Sequence, residues 1–273
     1  MSRHSRGPTD LAILLCLAFS AVQAVACATE VAAPKLKLVW TEEFNVDGLP
    51  DPATWSYETG LIRNQEAQYY TAGRPENARV EDGNLVIESR KEDYAGAGYT
   101  SASVNTLGKR EFSYGRIEVR AKIPTGVGSW PAIWMMGIDI PQAGWPECGE
   151  IDIMENVGYE PDTIYATVHT PGSVHDPGKV VKGGQITIPA PYADFHVYAV
   201  EWRSDRLDFF VDDQKYFTYR KDDRYPDYWR FAKPFYLLLN TAIGGNWGGQ
   251  HGIDDGIFPL RYFIDYVKYY QWE

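Results

Sequence analysis

Short stretches of alternating apolar and polar residues recur along the chain between turn-forming residues, and no long run repeats with a helical period. Arg116, Glu118 and Arg120 alternate with Ile117, Val119 and Ala121, the period of a strand with one wet face and one buried face. The same pattern predicts strands over 84–88, behind the Asp82-Gly83 pair, and over 115–121, 195–202, 207–211 and 263–270. Asp212 and Asp213 fall between Phe209-Phe210-Val211 and Lys215-Tyr216-Phe217-Thr218, which predicts a tight hairpin. Many short strands at this spacing predict an all-β fold, a jelly-roll sandwich of two antiparallel sheets with few and short helices.

Residues 1–26 follow a different pattern. Arg3 and Arg6 precede an apolar run from Leu11 to Val22, and Ala24-Val25-Ala26 supplies the small residues of a cleavage site, the layout of a signal peptide. The run is too short to span a bilayer comfortably, and no second apolar stretch of about 18 residues follows. A secreted or periplasmic protein without a membrane span is therefore expected. Cleavage after Ala26 exposes Cys27, and Ala-Val-Ala-Cys loosely resembles a bacterial lipoprotein box, so a lipid anchor on Cys27 is the alternative. Behind a short Ala-rich lead, 27–34, residues 35–273 contain no linker, repeat or low-complexity stretch and predict a single domain.

Charge narrows the partners. The formal net charge is −11 and becomes about −12 once Arg3, Arg6 and Asp10 leave with the leader. No basic patch offsets it, so nucleic acid is not an expected partner. Of the cysteines only Cys27 and Cys148 survive cleavage, which is no disulfide framework. The 19 Tyr and 9 Trp combine an apolar face with a polar edge, which suits both β-structure and sugar-binding surfaces.

The chemistry concentrates in Gly149-Glu150-Ile151-Asp152-Ile153-Met154-Glu155-Asn156. Glu150 and Asp152 share one face of a strand, with Ile151 and Ile153 on the other. Glu155, five residues from Glu150, points the opposite way in a regular strand. A one-residue β-bulge at Ile153-Met154 restores the parity and brings all three acids to one side. Glu150 and Glu155 are then about four strand steps apart, roughly 13 Å between Cα atoms at about 3.3 Å per residue. On a concave sheet the carboxyls lean to within the order of 5 to 7 Å, which overlaps the separation used in retaining glycoside hydrolysis. Asp152 between them raises the pKa of a neighbouring acid and so favours one protonated Glu. A calcium site or a solvated edge strand also accommodates three acids, although burying them is costly without a binding or catalytic use.

Ser129-Trp130-Pro131-Ala132-Ile133-Trp134-Met135-Met136, followed by Trp145-Pro146 and GEIDIMENVG, resembles the signature of glycoside hydrolase family sixteen, in its laminarinase (endo-1,3-β-glucanase) branch. The resemblance runs from Trp40-Thr41-Glu42-Glu43-Phe44 to Ile264-Asp265-Tyr266-Val267. It implies a concave substrate cleft, Glu150 as nucleophile, Glu155 as general acid/base and Asp152 as the residue that tunes them, with no cofactor for catalysis. The extra Met154 resembles the bulged motif shared by laminarinases, agarases and carrageenases. The resemblance also implies substrate contacts from Asn64, with Arg63 and Tyr70 beside it, and places His169 near the catalytic centre. Trp130 and Trp134 suit a sugar chain, because flat aromatic rings bind the C–H faces of pyranoses, although core packing is the commoner fate of an isolated Trp. Trp247, in the Gly-rich run 244–249, faces substrate, while Gln250 and His251 are weaker candidates and Trp145 has no assigned role. A structural calcium ion on the backbone oxygens of Glu43 and Gly83 and the carboxylate of Asp265 is a further implication, since calcium prefers oxygen ligands.

The expected activity is endo-cleavage of β-1,3-glucan, extending to mixed-linkage β-1,3-1,4-glucan, by a monomer. An agarase or carrageenase is the alternative within hydrolases, and the acidic balance counts against sulfated carrageenan. A carbohydrate-binding lectin on the same fold is the non-enzymatic alternative, which three retained acids disfavour. A transglycosylase would carry the same acids.

Overall fold

Strand alternation places Ile117, Val119 and Ala121 in the interior, and in the computed structural model all three are fully buried. The structure describes residues 35–176 and 182–273. The leader, Cys27 and the 27–34 lead lie outside the described residues. Each predicted strand is present, as Asn84–Tyr94, Gly115–Lys122, His196–Trp202, Arg206–Val211 and Leu260–Trp272, and the Asp212-Asp213 hairpin joins Arg206–Val211 to Gln214–Arg220. At the Asp82-Gly83 turn both residues have positive φ, 52° and 72°, the backbone that a two-residue hairpin favours.

Two sheets form a sandwich. The first runs in the order Gln214–Arg220, Arg206–Val211, His196–Trp202, Gly115–Lys122, Leu260–Trp272, Asn84–Tyr94, Ala97–Ser101, Gln68–Tyr70. Leu36–Glu42 and Ala78–Glu81 also pair onto it. The second runs Gly183–Thr187, Thr163–His169, Glu150–Glu155, Ser129–Gly137, Phe235–Ile243, Ser103–Asn105, Ser56–Tyr57. Pairing is antiparallel except where Gln68–Tyr70 lies parallel to Ala97–Ser101. That departure from the predicted all-antiparallel sheets arises because the 58–71 segment crosses between the sheets, with Ala67 donating its N–H to Ile243 O. The α-helices, Ile140–Ala143 and Pro171–His175, are single turns. Among the described residues no helix is long and apolar enough to cross a membrane.

The core lies between the sheets. Ile117, Val119, Tyr198 and Val200 of the first meet Ile133, Met135, Ile151, Leu237 and Leu239 of the second. The second sheet is covered on its other face too, where Ala132, Trp134, Met136, Cys148, Tyr236 and Leu238 form a separate apolar cluster. Phe235–Ile243 is therefore buried throughout and shows no alternation, because a strand covered on both faces has no wet side. Cys148 is a buried free thiol.

Candidate active site

Gly149 launches the acidic strand. Its φ is +72°, and a Cβ there would meet Arg230 Cβ at 2.8 Å and the Phe235 ring at 3.2 Å, so only glycine fits without displacement. In the strand that follows, Asp152 pairs with Trp134 while Met154 pairs with the next residue back, Ile133. On the other side Asp152 pairs with Thr167 and Glu155 with Tyr165. The strand thus carries one extra residue between Asp152 and Glu155, the bulge that the spacing requires. Its physical cause is apolar: Ile153 and Met154, consecutive in sequence, both enter the sandwich core. With two neighbours turned inward, Glu155 returns to the face of Glu150 and Asp152.

That face opens into a cleft of about 720 Å³, lined by both glutamates. Trp130 Nε1 donates to Glu155 Oε1 at 3.0 Å and Trp145 Nε1 to Glu150 Oε2 at 2.8 Å. His169, opposite Glu150 on the neighbouring strand, brings its Nε2 to 3.3 Å from Asp152 Oδ2 and 3.9 Å from Glu150 Oε1. The ligand atoms of Glu150, Asp152 and His169 lie within 4.8 Å of one another, and among the described residues no other such trio comes together. Asp152 is only 3% exposed.

Burial governs the protonation of this cluster. It pushes Glu150 up to about 8, with the Asp152 charge adding to the rise and His169 opposing it. It pushes Glu155 up to about 7, against the relief of the Trp130 hydrogen bond. Asp152 is also raised, by burial first and by the Glu155 charge second. At neutral pH the three carboxyls therefore hold at least one proton among them. Such a site can both donate a proton and supply a carboxylate.

The other predicted residues separate into two groups. Trp130, Trp247, His169, Asn64 and Arg63 line the cleft. Trp247 packs edge-to-face against Trp130 and Tyr165, with centroids 5.5 and 5.0 Å apart. Asn64 is braced by its side-chain bond to Glu66 and by Asn246 N–H on its carbonyl. Arg63 is ion-paired with Glu58 and lies 4.9 Å over the Trp134 ring. Trp134 is the floor rather than an open platform, being 6% exposed with Nε1 bonded to Asn240 at 2.7 Å.

One predicted contact is corrected. Tyr70 is fully buried, and its hydroxyl accepts from Asn240 Nδ2 at 2.9 Å, so it supports the residue beneath Trp134 and reaches no sugar. Gln250 is exposed beyond Trp247, with the Tyr159 hydroxyl 3.3 Å from its Oε1. His251 stacks on the same Tyr159. Residues to which the sequence assigned no role also reach the cleft, namely Trp145, Tyr165, Thr167, Lys182, Met136 and Ile140. Tyr165 and Thr167 precede His169 by four and two positions on one strand, so period two could have found them.

Of the predicted calcium ligands, Gly83 sits in its hairpin turn, Glu43 Oε1 lies 3.6 Å from Lys268 Nζ, and Asp265 is ion-paired with Arg120.

Comparison with known proteins agrees with this geometry. Residues 65–268 match the profile described as glycosyl hydrolases family 16. A beta-glucanase of Rhodothermus marinus is 48% identical over 88% of this chain and 87% of its own length. The laminarinase structure from Rhodothermus marinus superposes with a TM-score of 0.83 at 47% identity, covering 88% of this chain and 99% of that one. A non-specific endo-β-1,3(4)-glucanase of the same family superposes with a TM-score of 0.81 at 47% identity, covering 87% and 92%. With the signature strand, the jelly roll and these relatives in agreement, the chain is a glycosidase that belongs to glycosyl hydrolase family 16.

Proposed function

We propose that the protein is an exported, endo-acting β-1,3-glucanase that cleaves laminarin-like glucans and tolerates mixed-linkage β-1,3-1,4-glucan, with retention of anomeric configuration. The observation that carries this is the single-residue bulge that turns Glu150 and Glu155 into one cleft. Glu155 gives its proton to the glycosidic oxygen as a Glu150 oxygen attacks the anomeric carbon and the C–O bond breaks, leaving a glycosyl ester on Glu150. Glu155, now ionised, takes a proton from water, whose oxygen displaces Glu150 and releases the sugar. Glu155 is thereby reprotonated. Asp152 and His169 hold the charge balance of Glu150 from behind. The glucan assignment draws on relatives whose names specify β-glucanase or laminarinase activity. The mixed-linkage tolerance draws on the relative described as non-specific. A sulfated galactan is disfavoured by the acidic balance of the chain, whose formal net charge is −11.

Sugar release from laminarin, lichenan, agarose and carrageenan tests the assignment. Laminarin should be the best substrate, with lichenan second and the galactans untouched. NMR of the first product should show the β-anomer. Release from agarose alone, or an α-anomer formed first, would overturn the substrate or the stereochemistry respectively.

Export through 1–26 is part of the same proposal, and a mature N-terminus at Cys27, free or lipidated, is the result that supports it. A structural calcium ion on the backbone oxygens of Glu43 and Gly83 and the Asp265 carboxylate would have to share that carboxylate with Arg120. If the ion binds, millimolar calcium raises Tm by about 3 °C or more and Asp265→Asn abolishes the rise. An unchanged Tm removes the ion from the proposal.

A further inference from the structure

Glu150 has two oxygens in different surroundings. Oε2 accepts the indole N–H of Trp145 at 2.8 Å, the one side-chain hydrogen bond of normal geometry to Glu150 from an aromatic residue among the described residues. Oε1 lies 3.9 Å from His169 Nε2, and the carboxyl also bonds to Asp152. Trp145 differs from the other cleft tryptophans in being 48% exposed, so core packing does not explain it. Its backbone is nonetheless fixed: the helical turn Ile140–Ala143 precedes it, Cys148 N–H bonds to Gly144 O at 2.8 Å, and Gly149 N–H bonds to Pro146 O at 3.0 Å. The ring leans on His169, centroids 5.6 Å apart. Trp130 makes the matching bond to Glu155. Each of the two glutamates thus has one oxygen held by an indole from a different segment.

We propose that Trp145 is a positioning residue, whose N–H anchors Oε2 of Glu150 and so fixes the rotation in which the carboxylate attacks the anomeric carbon. A carboxylate without an anchor exchanges its oxygens by rotation about its last torsion, and only some rotations aim a lone pair at the sugar. A donor on one oxygen selects a rotation and favours the ionised form that attacks. Because the indole also forms the wall of the cleft beside Ile140, a bound sugar excludes water from the bond and strengthens it at the time of reaction. The inference rests on the assignment of Glu150 as nucleophile.

Trp145→Phe keeps a ring and removes the N–H. On soluble laminarin oligosaccharides its kcat should fall about 10-fold with KM within about 3-fold. The acid limb of its pH profile should move upward by about half a unit or more, since losing a donor to the carboxylate makes Glu150 harder to ionise. Unchanged kcat and limb, or a rise in KM alone, would make Trp145 a sugar platform only and overturn the proposal. A second measurement needs no active variant. In the indole ¹H–¹⁵N spectrum of the wild-type protein, the resonance absent from Trp145→Phe should titrate with the acid limb and stop titrating in Glu150→Gln. A Trp145 resonance indifferent to Glu150 overturns the proposal as well. If Glu150→Gln itself stays active, the nucleophile assignment fails; if it is inactive while Trp145→Phe behaves as wild type, only this inference fails.

Discussion

Glu150→Gln and Glu155→Gln each lose about 10³-fold or more of their activity on laminarin, but they diverge on a substrate whose leaving group needs no proton. With a dinitrophenyl β-laminaribioside, Glu155→Gln still forms the glycosyl ester, because dinitrophenolate departs unaided. Without a base to activate water the ester then persists. The result is a burst of dinitrophenolate equal to the enzyme present, followed by slow turnover. Glu150→Gln has no attacking carboxylate and gives no burst with either substrate. Both substitutions preserve shape and local bonding, since a Gln carbonyl still accepts from Trp130 or from Trp145. A burst from Glu150→Gln reverses the roles, and wild-type turnover in either variant removes that residue from the reaction. The environment alone does not assign the roles. Burial raises Glu150 to about 8 and Glu155 to about 7 in the empty cleft, so the distinction between nucleophile and acid rests on which face of the sugar each meets, which this kinetic split reads directly.

How much of this was legible in the sequence follows from which features are local. Alternation found the strands with one covered face, and Ile117, Val119 and Ala121 are buried as their period requires. The bulge was legible because parity is a strict consequence of strand geometry: acids five residues apart share a face only if one residue is inserted. Its cause also stood in the chain, as two adjacent apolar residues that the core takes together. Phe235–Ile243 escaped because both its faces are covered, so the signal on which alternation depends is missing. Trp145 escaped because its meeting with Glu150 depends on how the loop between Ser129–Gly137 and Glu150–Glu155 folds back. Tyr70 misled for a related reason. A tyrosine beside polar loop residues looks available to a sugar, yet Asn240, 170 positions away, draws its hydroxyl inward.

The cluster's burial also predicts a stability signature that catalysis does not reveal. Glu150→Gln should unfold at a higher temperature than the wild type at pH 8 to 9 and at nearly the same temperature at pH 4. The sign follows from linkage. Glu150 titrates near 4.5 when unfolded and at about 8 when folded, so between those values the folded state binds the extra proton. Stability from this group is fully present below about pH 4.5 and is lost as pH rises through about 8. Glutamine carries no proton to lose, so the variant's advantage grows across that window and then levels off. The full shift sets an upper bound, and allowing for relaxation of the cleft leaves about 2 to 4 kcal/mol at pH 8. For a domain of this size that is roughly 5 to 10 °C in Tm. Glu92 supplies a control of opposite sign: its hydrogen bond from Arg74, opposed by partial burial, holds its carboxyl down to about 2. Its contribution is present above about pH 4.5 and lost as pH falls through about 2, so Glu92→Gln should lower Tm at pH 8 and converge with the wild type in strong acid. Thermal unfolding of the three proteins from pH 3 to 9 checks both signs. A Glu150→Gln advantage that is the same at every pH would mean that the carboxyl is not held above its ordinary range, and with it would go the account of a cleft that stores a proton for the bond it breaks.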